Sequence, residues 1–211
     1  MKQNAMVWGA GGGIGRALVS QLSNEGWRVL ALGRNTTGLA EVTPDLFEVE
    51  LSNAAAVEGA VGEAGGRVDQ IDLWIYAAGD IAATKVAQAT PESWQRILDA
   101  NLTGAYLTVH HSLPLLAADA SLIFLGAISE RMRLPRLSAY AAAKAGLEAF
   151  VKVLAKEERR RRVTLVRPAA VDTPLWDKVP FSLPAGAMSP DEAAARILSA
   201  YRNGHRGQLD L

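Results

Sequence analysis

The sequence contains no cysteine, which excludes disulfide bonds, thiolate catalysis and zinc sites with sulfur ligands. It has no run of the roughly 20 apolar residues that a helix needs to cross a bilayer. No signal peptide is visible before the first apolar run, so we expect a cytoplasmic protein without a membrane anchor. The 22 acidic and 22 basic residues cancel, which gives no indication of a nucleic-acid partner. His110 and His111 are adjacent and point in different directions on a helix, which favours packing over metal binding.

The chain alternates short apolar runs with helical patterns over its 211 residues. Six runs are typical of buried parallel strands, at 5–8, 28–32, 46–49, 73–77, 121–125 and 163–166, and residues 208–211 offer a seventh. Helical patterns cover 13–25, 54–63, 91–116, 138–160 and 190–201. The alternation predicts one α/β domain, residues 1–211. We expect a Rossmann-type, doubly wound parallel sheet of six or seven strands with helices on both faces, in three α/β/α layers.

A glycine-rich turn, Gly9-Ala10-Gly11-Gly12-Gly13-Ile14-Gly15, joins the first predicted strand to the first predicted helix. Glycines allow a tight turn and let a ligand approach the backbone. The helix that follows offers free N–H groups and a positive dipole end to a pyrophosphate. No Gly-Lys-Ser/Thr sequence follows, so the turn does not match the phosphate loop of nucleoside triphosphatases. The strand–turn–helix context predicts a dinucleotide site.

Tyr140 and Lys144 stand four residues apart in an alanine-rich run that favours a helix. Residues at this spacing lie on one face of a helix, so a phenol sits beside an ammonium. The ammonium favours the phenolate, and we expect it to lower the pKa of Tyr140 from its reference value of about 10. A tyrosine tuned in this way exchanges protons near neutral pH.

Together these motifs resemble the short-chain dehydrogenase/reductase family, from Ala5 to about Thr173. The family's Gly-x3-Gly-x-Gly turn corresponds to Gly9, Gly13 and Gly15, and its Tyr-x3-Lys pair corresponds to Tyr140 and Lys144. Its Asn-Asn-Ala-Gly segment, its helical asparagine and its Pro-Gly segment correspond to Tyr76-Ala77-Ala78-Gly79, Asn101 and Pro168-Ala169-Ala170-Val171-Asp172-Thr173.

The resemblance implies an oxidoreductase that interconverts a carbonyl and an alcohol with a nicotinamide cofactor. Tyr140 would exchange a proton with the substrate oxygen. Lys144 would hold the nicotinamide ribose, and Asn101 would anchor a water that relays protons to the lysine. Apart from Tyr140 and Lys144, the cofactor would contact Gly9, Gly11, Gly12, Gly13, Ile14, Gly15, Arg34, Glu50, Leu51, Ala77, Ala78, Gly79, Pro168, Ala169, Val171 and Thr173.

The chain departs from the family at the serine that normally lies 13 residues before the tyrosine, because an ungapped count places Ala127 there. Such a serine donates a hydrogen bond to the substrate oxygen, and losing one donor of this kind costs roughly 10²–10³ in turnover. Three explanations are open. In the first, Ser129 reaches the substrate from a shifted loop. In the second, the enzyme turns over slowly or acts on a substrate that needs less polarisation. In the third, the chain binds NADP(H) as a regulatory or scaffold protein without turnover.

Arg34 follows the second predicted strand, where an acid would favour NAD and an arginine suits the 2′-phosphate of NADP. We therefore expect NADPH to be preferred, with NAD as the second possibility. The apolar, proline-containing segment 174–189 indicates either a short lid over a small hydrophobic carbonyl or alcohol substrate, or a simple surface cover. By analogy with the family we expect a homodimer or homotetramer built from the predicted helices 91–116 and 138–160.

Overall fold

The computed structural model describes residues 3–211, with the side chain of Ser129 outside the described part. Seven parallel strands form one sheet in the order β3-β2-β1-β4-β5-β6-β7. The strands are β1 (Asn4–Trp8), β2 (Arg28–Gly33), β3 (Asp45–Glu48), β4 (Ile71–Tyr76), β5 (Leu116–Leu125), β6 (Arg162–Arg167) and β7 (Gly207–Asp210). The chain order reverses direction across the sheet at β1 and β4, which neighbour each other. This arrangement confirms the predicted doubly wound Rossmann-type fold, including the seventh strand.

Six α-helices cover the two faces of the sheet in the described chain. They are α1 (Gly13–Asn24), α2 (Ala54–Gly65), α3 (Pro91–Leu98), α4 (Gly104–Ser112), α5 (Ser138–Glu157) and α6 (Pro190–Arg202). Side chains alternate along each strand, so Met6 and Trp8 face one layer while Ala5 and Val7 face the other. Helices α1 and α6 pack on the Ala5 face, and α2, α4 and α5 pack on the Met6 face. The expected three-layer arrangement follows from these two cores.

The single helix expected at 91–116 is wrong, because the structure breaks it into several parts. A π-helical turn, Asp99–Thr103, separates α3 from α4, and a 3-10 turn, Leu113–Leu115, ends the segment. Leu116 already belongs to β5, which begins before the predicted residue 121. The glycine at 104 explains the break in part, since a side chain there would lie 2.8 Å from the carbonyl oxygen of Asp99. Only a glycine at position 104 allows the backbone to come this close.

Candidate active site at the carboxyl ends of the strands

A cavity of about 1870 Å³ opens at the carboxyl ends of the central strands. Most of the predicted site residues line it, and they come from the ends of five strands, from α5 and from the helical segment around residue 101. The residues are Gly9, Gly11, Gly12, Gly13, Ile14, Arg34, Glu50, Leu51, Ala77, Ala78, Gly79, Asn101, Tyr140, Lys144, Pro168, Ala169, Val171 and Thr173. Gly15, in α1, is not among the lining residues. The prediction for Ser129 concerns a side chain that lies outside the described part of the chain.

The glycine turn is packed too closely for side chains at several positions. Gly9 has φ of +79°, and a Cβ on it would overlap with the backbone of Ala78. A Cβ on Gly15 would overlap with the carbonyl oxygen of Gly9, so Gly15 serves the packing of α1 against the turn. The N-terminus of α1 has no side-chain cap and no acidic residue in its first turn. This backbone cradle fits a bound anion such as the pyrophosphate of a dinucleotide.

Tyr140 and Lys144 lie near the beginning of α5, and both are buried at the cavity wall, with 7% and 5% exposure. The Nζ atom of Lys144 lies 5.7 Å from the centroid of the Tyr140 ring. It donates a 2.9 Å hydrogen bond to the carbonyl oxygen of Leu125 at the end of β5. The helix therefore brings the pair together, and β5 fixes the direction of the ammonium.

Burial shifts the pKa of each member of this pair toward its neutral form. It raises the pKa of Tyr140 to about 12 and lowers the pKa of Lys144 to about 8. The expected lowering of the Tyr140 pKa is therefore wrong for the polypeptide by itself. The desolvation of a phenolate in this wall outweighs an ammonium whose hydrogen bond is directed at a backbone carbonyl. Tyr140 is accordingly a neutral phenol, able to donate a proton, across the physiological range.

Asn101 lies in the π-helical turn and is fully buried. Its Nδ2 donates to the carbonyl oxygens of Asp80 and Ile97, at 2.7 and 2.8 Å. Within the described residues, its Oδ1 has no hydrogen-bond partner. A Cβ on Gly79 would lie 3.0 Å from that Oδ1 and 3.8 Å from Lys144 Nζ. The absence of a side chain at 79 thus leaves a small space bordered by one acceptor and one donor, which is the chemistry that a bridging water requires.

Ala127 is 8% exposed and lines the cavity, at the position that the ungapped count assigned to the family's serine. The preceding Gly126 donates its N–H to the carbonyl oxygen of Val166 at 2.8 Å, which ties the end of β5 to β6. A methyl group therefore occupies the wall where a hydroxyl donor was expected. Residue 129 begins a 3-10 turn, Ser129–Met132, directly after this wall.

Arg34 is exposed at the cavity rim after β2, together with Glu50 and the buried Leu51 after β3. The guanidinium of Arg34 is close enough to contribute to a lowered pKa of Lys178, whose largest cause is burial. Arg34 and Lys178 therefore place two cations near one part of the cavity. This is the arrangement that an anionic group on a ligand would favour.

Sequence reasoning missed a buried carboxylate, Asp80, which is 1% exposed. Its Oδ1 accepts hydrogen bonds from Lys178 Nζ at 2.7 Å and from the N–H of Ile81 at 2.9 Å. Its Oδ2 forms an ion pair with Arg96 of α3. The only sequence signal was an acid directly after Gly79, and nothing local indicates that its partner comes from residue 178.

The segment that carries Lys178 also forms an apolar wall. Leu175, Val179 and Phe181 pack against a cluster that contains Tyr140 and Leu137. The Trp176 indole donates to the carbonyl oxygen of Val171 at 2.9 Å, a local contact that stabilises the turn after β6. Tyr140 thus belongs to an apolar cluster at the cavity wall.

Among residues 3–211, no three or more His, Asp or Glu side chains cluster in a way that could hold a metal ion. No helix of the described chain is both long and apolar enough to cross a membrane.

The family model described as short chain dehydrogenase matches residues 3–181. An uncharacterized oxidoreductase of Staphylococcus saprophyticus is 27% identical over 215 aligned positions, which cover 95% of this chain and 92% of that protein. A 2-dehydro-3-deoxy-L-rhamnonate dehydrogenase (NAD(+)) of a Sphingomonas species is 28% identical, over 84% of this chain and 76% of that protein. Among solved structures, an alcohol dehydrogenase of Thermococcus sibiricus complexed with 5-hydroxy-NADP has a TM-score of 0.90 at 21% identity, covering 100% of this chain and 96% of that one.

Proposed function

Because the chain belongs to the short-chain dehydrogenase family and is an oxidoreductase, we propose that it interconverts a carbonyl and an alcohol with NADP(H) and uses Tyr140 as the proton donor. The observation that carries this proposal is the meeting of Tyr140, Lys144 and the glycine turn in one cavity. The dinucleotide supplies or accepts the hydride, and the residues of the chain bind, orient and move the proton.

In the reductive direction, the carbonyl oxygen of the substrate lies against the Tyr140 hydroxyl. As the carbonyl carbon gains a hydride, the oxygen takes the phenolic proton, and the product is the alcohol. Lys144 stabilises the phenolate that is left, since its ammonium lies beside the ring. Asn101 Oδ1 and Lys144 Nζ border the space beside Gly79, where a water returns a proton to the tyrosine by way of the lysine. The oxidative direction is the reverse of these steps.

Arg34 supports a preference for NADPH over NADH. A charge-assisted contact between its guanidinium and the 2′-phosphate is worth roughly 1.5–3 kcal/mol, which corresponds to about a 10–100-fold difference in affinity. Titration of both cofactors against wild type, Arg34→Ala and the distant surface control Arg160→Ala tests this preference. Only Arg34→Ala is expected to lose the difference. Equal affinities of the wild type for both cofactors would rule it out.

We infer that the substrate is small and apolar, because Leu175, Val179 and Phe181 line the cavity and pack against the apolar cluster that contains Tyr140. Residues 174–189 then act as a lid within a single domain of residues 1–211. We also propose a cytoplasmic homodimer or homotetramer that uses the outer faces of α4 and α5, where Tyr106 and Val153 are 47% and 53% exposed.

The alternative, a chain that binds NADP(H) without turnover, rests on Ala127 alone. Tyr140→Phe separates the two functions, because it removes one hydroxyl and little volume. With a panel of apolar ketones and aldehydes, loss of NADPH absorbance should occur with wild type and largely stop with Tyr140→Phe, while NADPH affinity stays nearly the same. Near-wild-type turnover by the variant would refute the role of Tyr140. NADPH binding without turnover in the wild type would favour the alternative.

A further inference from the structure

Tyr76 is fully buried at the end of β4, at the position where the family has an asparagine. Its hydroxyl donates a 2.8 Å hydrogen bond to the carbonyl oxygen of Ala100, the residue before Asn101. We propose that Tyr76 is a positioning residue: its hydroxyl holds the π-helical turn Asp99–Thr103 in the register that presents Asn101 to Lys144. The catalytic consequence rests on the proposed function, whereas the structural claim stands independently of it.

The hydrogen bonds of the turn explain why a hydroxyl is needed there. In a regular α-helix the N–H of Gly104 would donate to the carbonyl oxygen of Ala100, four residues earlier. Here that N–H donates to Asp99, five residues earlier. The Tyr76 hydroxyl supplies a donor to Ala100 in place of the one that the π register diverts. Removal of the hydroxyl takes this donor away and favours a return of the N–H to Ala100.

Gly104 provides a second, independent indication that this contact is built into the fold. A Cβ at 104 would lie 2.8 Å from the Tyr76 hydroxyl and equally close to the Asp99 carbonyl oxygen. The helix can approach the hydroxyl only because residue 104 has no side chain. Tyr76 itself is fixed by aromatic packing, since its ring stacks on Trp74 with centroids 6.3 Å apart. The Tyr76 hydroxyl is therefore a fixed donor, and the absence of a side chain at residue 104 lets the π-helical turn approach it.

The register of the turn matters for Asn101 because both hydrogen bonds of its amide depend on it. One goes to Ile97 in the preceding turn of helix, and the other goes to Asp80 after β4. A shift of one residue rotates a helix position by about 100°. Such a rotation would carry Oδ1 away from the space beside Gly79 that it shares with Lys144 Nζ. Single π-helical turns of this kind often mark functional sites.

The structural part of the proposal is tested by amide hydrogen exchange on the full chain, which needs no turnover. Tyr76→Phe keeps the ring and removes only the hydroxyl. Ser112→Ala is the matched control, because Ser112 is a buried hydroxyl that joins the same strand and helix by accepting from the Trp74 indole at 3.0 Å. In Tyr76→Phe, exchange over residues 99–105 should rise about tenfold, the loss expected for one hydrogen bond. In Ser112→Ala it should rise only near residue 112.

The catalytic part is tested by kinetics with NADPH and the best substrate of the panel. Tyr76→Phe should lower kcat about tenfold and leave KM for NADPH unchanged, whereas Ser112→Ala should change neither. In an Asn101→Ala background, Tyr76→Phe should have no further effect on kcat, because Tyr76 acts through Asn101.

The outcomes separate this proposal from the proposed function. Faster exchange confined to residues 99–105 supports the structural claim even if the wild type turns over no substrate, in which case the proposed function fails by itself. Unchanged exchange in Tyr76→Phe, or an equal change in both variants, overturns the positioning role. Equal kcat losses from Tyr76→Phe with and without Asn101 overturn the catalytic consequence.

Discussion

At the scale of single residues, burial controls the electrostatics of the candidate active site. The same wall that shields Tyr140 and Lys144 from water shifts both pKa values toward the neutral forms, so the phenol stays protonated and the ammonium releases its proton more readily. A neutral phenol is the form that gives a proton to a carbonyl. A lysine with a pKa of about 8 can pass a proton at neutral pH more easily than an exposed lysine.

The lowered pKa of Lys144 predicts a pH-dependent stability. Burial lowers this pKa to about 8 in the folded chain, whereas an unfolded chain leaves the lysine at its ordinary value of 10.5. Between these values the unfolded chain holds a proton that the folded chain has released, so this group increases stability as pH rises. From pH 7 to 9.5 the wild type should gain about 2 kcal/mol relative to Lys144→Met. Urea unfolding of both proteins at the two pH values measures the difference. A pH-independent difference would contradict the buried-amine assignment.

Ala127 predicts that the site can be improved by one hydroxyl. Because Ala127 and Tyr140 line the same cavity, Ala127→Ser should supply the missing donor to the substrate oxygen and raise kcat about tenfold or more. Ser129→Ala should leave kcat nearly unchanged. Steady-state kinetics on the same substrate measure both effects. If Ser129→Ala abolishes turnover and Ala127→Ser has no effect, Ser129 is the donor and the ungapped count is wrong.

At the scale of elements, the segment after β6 is joined to the body of the protein through a buried charge. Lys178 reaches from the 3-10 turn Trp176–Lys178 to Asp80 after β4, and Asp80 also pairs with Arg96 of α3. The backbone carbonyl of Asp80 accepts from Asn101. The segment after β6 and the π-helical turn therefore both bond to Asp80, the first at its carboxylate and the second at its backbone carbonyl.

Lys178→Met should weaken the attachment of residues 174–189, the proposed lid, to Asp80. The lysine side chain is 47% exposed, so we expect the ion pair to contribute only about 0.5–1 kcal/mol. Loss of the pair should raise the dissociation rate of NADPH about two- to fivefold, with kcat changed less. Stopped-flow fluorescence measures the rate. Lys152→Met is the control, because it removes a lysine from an ion pair with Glu148 on the surface of α5. Equal rates in the two variants would mean that residues 174–189 do not retain the cofactor.

At the scale of the whole molecule, the outer faces of α4 and α5 expose aromatic and apolar side chains to solvent. Tyr106 stacks on His110 with centroids 5.5 Å apart and meets Phe150 edge to face. Val153 is exposed on α5. The proposed subunit contact would bury these side chains. It would explain why two surface helices of a chain without net charge carry apolar groups.

A double change to acid on this surface should separate the subunits. Tyr106→Glu with Val153→Glu places carboxylates at the proposed contact, where burial without a partner is costly. Sedimentation velocity should show a dimer or tetramer for wild type and a monomer for the double variant. Val86→Glu is the control, because Val86 is 74% exposed on a different surface. A wild-type monomer would remove the basis for the proposed contact.

The sequence by itself determined the fold class and the location of the cavity. Alternating apolar runs and helical patterns predict a parallel sheet, and the glycine turn marks its first strand end, because both depend on local periodicity and backbone freedom. The spacing of Tyr140 and Lys144 likewise predicts that they share a face of α5, since positions four apart always do.

Only the tertiary structure decided the electrostatics and the contacts between distant segments. Whether an ammonium or desolvation controls the pKa of Tyr140 depends on what covers the pair, and that cover comes from other elements. Gly104 permits the π-helical turn, but a glycine by itself does not distinguish this turn from a continuous helix, because the register is stabilised by a hydroxyl 24 residues away in the sequence. The pairing of Asp80 with Lys178 spans 98 residues. Contacts between residues so far apart in the sequence depend on how the layers pack, and no periodic pattern in the sequence predicts them.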